Sequence, residues 1–599
     1  MIDFPQRRIY ALGIITILVA AVYGSILGHG FVWDDFDIIA NNPLTSSLAN
    51  IPKFFVSEDM SDGPTGYYRP LTYVSFTIDR AVWGLNPIGF TLTNILLHIA
   101  TALLFYRVVA RLFSREDLAL AAALLFALHP IAGETVNFHA GGRNTLLCAC
   151  FALLSLLFHV NKRYLPALAC FVPAIFSKEF ALLLPVIFIM HDRVISSDKP
   201  GWRTYAPYGA AICVYLSLRA FTVQSAGIVN RLDLTGAVWT APQVYVSYLW
   251  NMLNPFNIKV MYDVADRPGI LSLLSDIGLL ALIAGAVYRF RGKRELLYAA
   301  IVFFLFLLPV STILPLGITK MADRYAYFAS FGFSLALAWA ICSTPRKVAL
   351  ALLGLLLITY GALDIHRNGY WRNEQTLFSR MVADAPAMSI GFQRLGIFHF
   401  DRGEFAAAEP YLMEAAGKKD LNVEMLMGSA SMFIDMGKPA KALPFLARKL
   451  EQEPANLEAL VMSAKIREEM GDQAMAQSFR NRALAINPLV FSMLTERALA
   501  LCRQGEELTA RGDLAGAERL FRAALRMEPT FVPALIDLGG IMAEKGNLNG
   551  ALTYFEKARS LESGNPAIPY NLALLYKMMN RQADAEKEER EYRRMKKNR

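Results

Sequence analysis

Residues 9–39 read IYALGIITILVAAVYGSILGHGFVWDDFDII. The run 9–27 carries no charge and is long enough to cross a bilayer as a helix. At its far end, in the apolar setting FVWDDFDII, stand two adjacent carboxylates, Asp34 and Asp35. Charge held at a membrane boundary is costly and is read first as functional. Arg7 and Arg8 precede the run, and no small-residue cleavage pattern comes before GHGF, so it reads as an uncleaved first span.

Similar apolar runs recur near 88–106, 117–135, 145–161, 164–177, 179–191, 204–222, 270–288, 296–315, 325–343 and 347–365, predicting about eleven spans. The stretch 241–261 is aromatic and amphipathic with Asn and Pro inside, and reads as an interfacial helix. The chain as a whole is 55% hydrophobic, with a mean hydropathy of +0.34, which places it in the membrane class. Its net charge of +9 does not call for nucleic acid. Arg7, Arg8, Arg107, Arg111, Arg115, Lys162, Arg163, Arg193, Lys199, Arg203, Arg289, Arg291, Lys293, Arg294, Arg346 and Lys347 all fall on one side of the predicted spans, which predicts a cytoplasmic N-terminus. An odd count sends the C-terminal half to the opposite face, together with the long loops at 28–87, 130–144, 223–269 and 316–324. Five of the six cysteines lie in the apolar stretches; the sixth, Cys502, has no partner for a disulfide in the C-terminal half.

That half has a different texture. Gly403, Gly437 and Gly471 are 34 apart; after a seven-residue slip Gly512, Gly546 and Asn580 resume the interval. Ala408, Ala442, Ala476, Ala517, Ala551 and Ala585 follow in step, and Pro454, Pro488 and Pro529 close three units. This is the tetratricopeptide beat, in which paired helices stack because one pair alone cannot bury its apolar face. About six units start near 389, 423, 457, 498, 532 and 566. Such an array binds polypeptide and does no chemistry of its own.

Several polar residues interrupt the apolar half. Lys178 and Glu179 break the hairpin PAIFSKEFALLLP (173–185); they form either an ion pair or a phosphate contact. Arg69 (GYYRPLTYVSF, 66–76) and Lys320, Asp323 and Arg324 (GITKMADRYAYF, 317–328) fall on outer loops. Cations converging there would hold a phosphate or pyrophosphate. His98 lies within a span; His129, Glu134, His139 and Arg143 lie in HPIAGETVNFHAGGRN (129–144). Their spacing fits no zinc pattern and reads as polar support at helix ends. Gly141 and Gly142 read as a turn.

The ordered set FVWDD, YYRPLTYVSF, HPIAGETVNFHAGGRNTLL, SKE, MADRYAYFASFGF and YWRNEQTLF, followed by the repeats, resembles the transmembrane and tetratricopeptide repeat-containing O-mannosyltransferases, within the GT-C superfamily. The resemblance implies inverting transfer of a sugar from a polyprenyl-phosphate carrier to a Ser or Thr hydroxyl. It implies an acidic base in the first outer loop, Asp34 or Asp35, and places Arg69, Lys178, Glu179 and Arg324 near the donor phosphate, with Lys320 added from the loop reading. In the eukaryotic family the repeats lie in the endoplasmic reticulum lumen. The chain departs from the pattern at AGETVN (132–137) and at GGRN (141–144), where Asn144 stands near the place of an acid. The short array and single cysteine in the repeats suit a bacterial relative.

The expected fold is all-α: a polytopic membrane helical bundle of GT-C type over 1–370, a linker and first helix over 371–388, and a tetratricopeptide solenoid over 389–599. The expected setting is a bacterial inner membrane with the repeats periplasmic. The partners are a lipid-linked sugar, an acceptor polypeptide on the repeats and the membrane; no cofactor is required, although the acid pair is compatible with a divalent metal. Two alternatives stand beside this: the same chemistry on an envelope glycan or lipid, and a non-enzymatic scaffold or lipid-linked sugar flippase.

Overall fold

The computed structural model describes residues 4–56, 67–196, 199–222, 234–264, 268–311, 320–421, 423–528 and 530–597. Every regular element among them is helical. The chain forms two compact units, Met1–Ala385 and Pro386–Arg599.

In the first unit, five helices among the described residues are long and apolar enough to cross a bilayer: Arg8–Gly28, Pro87–Phe113, His139–Val160, Ile270–Arg289 and Arg346–Trp371. A further pair, Glu116–Ala127 and Pro130–Asn137, bends by 50° at the break. His129 stands in that break, and its Nδ1 accepts from the Ile131 N–H (3.1 Å) while Nε2 donates to the Met252 carbonyl (2.9 Å). The remaining apolar runs form shorter helices, among them Tyr164–Ser177, Leu184–Met190, Ala206–Thr222, Arg294–Leu307 and Ala329–Cys342. The helix Tyr164–Ser177 ends at Lys178 and another, Asp323–Ala326, begins at Asp323, so these helix ends coincide with the polar motifs.

The stretch 241–261 departs from its sequence reading. A helix runs over Leu234–Leu253 and stops before Asn254–Pro255, where the residue preceding proline disfavours helix. Val244, Tyr248 and Met252, one helical stripe, are buried against the core of the bundle, while Val238, Trp250 and Leu253 on the same helix are exposed.

Among the described residues the second unit contains six helix pairs, from Ser389–Asp401 with Phe405–Ala416 to Ala567–Met578 with Gln582–Lys597. The 34-residue beat has a local cause. At the turn inside a pair the glycine takes a left-handed backbone (Gly471, Gly512 and Gly546 at φ +80, +81 and +80). The next residue then caps the second helix: Asp472 accepts from the Met475 N–H, Asp513 from Gly516 and Asn547 from Gly550. The seven-residue slip appears as extra length in one helix, Val490–Ala510 with 21 residues against 13 for Leu457–Glu469 and Val532–Glu544. It leaves the preceding helix Gln473–Ile486 at 87°. This corner divides the apolar core: one cluster spans Phe400 to Val490, another Ala498 to Ala585. Polar contacts bridge the two blocks. Arg522 donates to Asp435 (2.8 Å) and lies over the Phe400 ring, and Lys465 pairs with Glu528. The expected solenoid is thus built as two three-repeat blocks, joined by apolar contact at the corner and by these polar contacts.

Candidate functional site

Five elements bring their polar ends together on one side of the first unit: the segment after Phe4–Tyr23, the N-termini of Pro87–Phe113 and His139–Val160, the C-terminus of Tyr164–Ser177, and the turn 321–325. The acid pair divides there. Asp35 is fully buried, and its carboxylate accepts from the Val32 N–H (3.1 Å), His139 Nδ1 (2.9 Å) and the Ala140 N–H (2.7 Å). Since a carboxylate only accepts, His139 Nδ1 carries the proton, and Nε2 accepts from the Thr91 hydroxyl (2.9 Å). Asp35 thus fastens the first loop to the N-terminus of His139–Val160, where the helix dipole favours an anion. Asp34 is only half-buried. Its charge is felt by Arg324 and Tyr73.

Three of the four predicted cations converge. Arg69 forms a two-point pair with Glu179, through Nε at 3.0 Å and through its terminal nitrogen. Arg324 pairs with Glu134, which also accepts the Arg324 backbone N–H (3.1 Å). Lys178 is 2% exposed; its ammonium donates to Thr145 Oγ1 (2.7 Å) and makes no ion pair with a carboxylate of the described residues. Electrostatic interaction links Lys178 to Arg69, Glu179 and Arg324. Two tyrosines lie among these charges: Lys178 Nζ is 5.7 Å and the Arg324 guanidinium 5.0 Å from the Tyr325 ring, and Arg69 sits 3.9 Å over Tyr67. Glu179, expected near a donor phosphate, is the counter-ion of Arg69.

The fourth cation, Lys320, is held by a backbone carbonyl: its Nζ donates to that of Val264 (2.9 Å). Asp323 accepts from Tyr262 (2.6 Å) and Arg367 (2.8 Å), and holds the start of the turn that presents Arg324. The other polar residues brace helices. His98 donates from Nε2 to the Ala127 carbonyl (3.0 Å) and accepts from Tyr327 (2.7 Å). Arg143, wholly buried, donates to Asn94, Ser75, Asp79 and the Phe90 carbonyl. Asn144 accepts from the neighbouring Thr145 hydroxyl (3.1 Å). Gly141 and Gly142 belong to the helix His139–Val160 rather than to a turn. A Cβ at Gly142 would lie 1.9 Å from the Thr135 carbonyl oxygen, and one at Gly141 2.4 Å from the Phe138 ring.

Sequence reading missed Tyr67, Tyr73, Tyr325 and Arg367. The first three flank residues it had singled out; Arg367 carries no local signal. Among the described residues no group of three His, Cys, Asp or Glu side chains could hold a metal ion.

Near the charged cluster lies an apolar crevice, lined by Phe105, Leu112, Leu184, Val302, Phe306 and Phe328 among others. Phe180 connects the two: its ring is 5.7 Å from that of Phe328, and Lys178 Nζ is 4.7 Å from its centroid.

Fold and site together define a polytopic all-helical membrane protein with a buried cationic centre and a tetratricopeptide array. Its curated relatives are protein O-mannosyltransferases of the TMTC type. They include protein O-mannosyl-transferase F38B6.6 of Caenorhabditis elegans (24% identity; 65% of this chain, 59% of the relative) and TMTC3 of Homo sapiens (27%; 60% and 46%). Tmtc3 of Drosophila melanogaster is 22% identical over 69% of this chain and 55% of its own. The chain spans about half the length of the curated relatives it matches. No protein-family model matches it. Among solved structures, the P58(IPK) tetratricopeptide domain aligns at a TM-score of 0.18 and 11% identity, covering 75% of this chain and 92% of that one.

Proposed function

We propose that this protein is a membrane glycosyltransferase that moves a sugar from a polyprenyl-phosphate carrier to Ser or Thr hydroxyls on the non-cytosolic face, with the repeats binding the acceptor. The observation that carries the reading is Lys178: a buried ammonium that makes no ion pair with a carboxylate of the described residues, set over the Phe180 ring that adjoins an apolar crevice. An uncompensated buried charge costs several kcal/mol, and an anion brought in by a ligand would offset it. A phosphate on a long apolar chain satisfies both the cation and the crevice. Arg69 and Arg324, oriented by Glu179 and Glu134, stand ready to share the charge that develops on the departing phosphate.

In the reaction the acceptor hydroxyl oxygen attacks the anomeric carbon from the side opposite the phosphate. The carbon–oxygen bond to phosphate breaks, its electron pair leaves with polyprenyl phosphate, and Asp34 takes the hydroxyl proton. Asp34 is favoured over Asp35, whose carboxylate is already engaged by three donors. The names of the relatives support a protein acceptor, and the positive-inside bias supports the face.

The test uses the purified full chain with a polyprenyl-phosphate hexose and Ser/Thr peptides, read as a peptide mass gain. Replacing Asp34 with Asn lowers transfer at least 100-fold, the scale of a lost general base; Lys178→Met raises the donor KM. Wild-type rates in Asp34→Asn remove the base assignment. Sugar appearing on glycolipid while peptides stay unchanged overturns the protein acceptor.

A further inference from the structure

Trp33, the residue before Asp34, has a backbone φ of +53. A bulky side chain in the left-handed region is a true outlier, costing about 1–3 kcal/mol, and such strain gathers at functional sites. Glycine would occupy the position without strain, so the indole must return something that the backbone alone does not need. Trp33 heads a column of three aromatic rings. It stacks on Phe138 (5.7 Å between centroids, 11° between planes), and Phe138 stacks on Trp371 (5.5 Å, 27°). Phe138 and Trp371 are buried, whereas Trp33 is only partly so. The column therefore ends in a half-exposed indole braced from behind.

Its surroundings are those of the proposed reaction. The proposed base follows it in the chain. The Arg324 guanidinium, part of the cationic cluster, is 5.8 Å from the Phe138 ring. Gly141 makes room for both, since a Cβ there would meet the Phe138 ring at 2.4 Å and Arg324 Cδ at 3.4 Å.

We propose that the half-exposed indole of Trp33 is the platform on which the transferred hexose lies. This rests on the lipid-linked donor reading above. A pyranose carries its hydroxyls around the rim and exposes a face of C–H bonds, which an aromatic face receives without competing for hydrogen bonds. The neighbouring cations then take the phosphate and Asp34 faces the acceptor side.

The experiment compares equilibrium binding of polyprenyl phosphate with and without a hexose to the detergent-solubilised full chain. In the wild type the hexose strengthens binding by roughly tenfold, the worth of one good aromatic stack. Trp33→Gly and Trp33→Asn, both compatible with a left-handed backbone, lose that increment and keep the affinity for the bare carrier; Trp33→Phe retains most of it. A hexose increment that survives in Trp33→Gly and Trp33→Asn overturns the platform, as does loss of bare-carrier binding in both, which would make the indole a structural brace. A wild type that binds neither carrier removes the lipid-linked donor itself, and the platform with it.

Discussion

Two neighbouring aspartates with different duties make the case at the scale of the residue. Asp35 holds three donors from two separate parts of the chain, Val32 beside it and the pair His139 and Ala140, and Asp34 stands half-buried on the same turn. Asp35→Asn places an amide N–H₂ against donors and removes charge-assisted bonds, a loss of about 2–4 kcal/mol. The expected outcome is a lowered melting temperature and poor recovery of folded protein for Asp35→Asn, against a clearly smaller change for Asp34→Asn. Equal melting curves for the two would place Asp35 outside the structural role. Nothing in the string WDD separates these duties, because the choice depends on which carboxylate the turn rotates toward His139, 104 residues away. The cations show the same limit. Arg69, Lys178, Lys320 and Arg324 look alike in sequence as charges near apolar runs. Only the folded loops reveal that the Lys320 ammonium turns to a backbone carbonyl while the others surround Tyr67 and Tyr325.

Legibility improves with the helix as the unit, since it then depends on periodicity. The apolar runs were readable because a bilayer-length helix needs an unbroken stretch, and the repeats because glycine and cap recur at the same place in each pair. Local chemistry that leaves the period untouched stayed hidden. Gly141 and Gly142 look like a turn, yet they lie inside a helix as points of close approach. In the repeats, Asp537 on the helix Val532–Glu544 is similar: burial, with Glu506 adding to it, pushes its carboxyl up to about 6 from an ordinary 3.8. A raised carboxyl means that the unfolded chain releases the proton first as pH rises. The folded array is therefore favoured by this group below pH 4 and loses that contribution between pH 4 and 6. Asp537→Asn has no such loss. It should match the wild type near pH 4 and exceed it above pH 6, by on the order of 1 kcal/mol, since the group is partly solvent-screened. Hydrogen exchange of the Val532–Glu544 amides, compared between the two proteins at each pH, reads the difference directly; a gap that widens toward low pH contradicts the assignment.

The whole repeat unit behaves as something the 34-residue beat does not describe. A continuous array would share one core, but the long helix Val490–Ala510 turns a corner and leaves two cores. Away from the corner, where Val490, Phe491 and Leu494 pack on the first core, the blocks meet through Arg522 on Asp435 and Phe400 and through Lys465 on Glu528. The seven-residue slip marked the place in sequence; the consequence was unreadable because Arg522 and Asp435 are 87 residues apart. Polar junctions of this kind weaken with salt and open more readily than apolar cores. Arg522→Ala removes the central donor of this junction. The two blocks should then separate about the corner at 487–489 while each keeps its helices. Spin labels on the helices Val423–Asp435 and Leu514–Met527 of the full chain would report a longer and broader distance distribution in Arg522→Ala than in the wild type, with unchanged helical circular dichroism. High salt should move the wild type in the same direction. An unchanged distribution in the variant would mean that the corner itself, and not the ion clasp, sets the angle between the blocks.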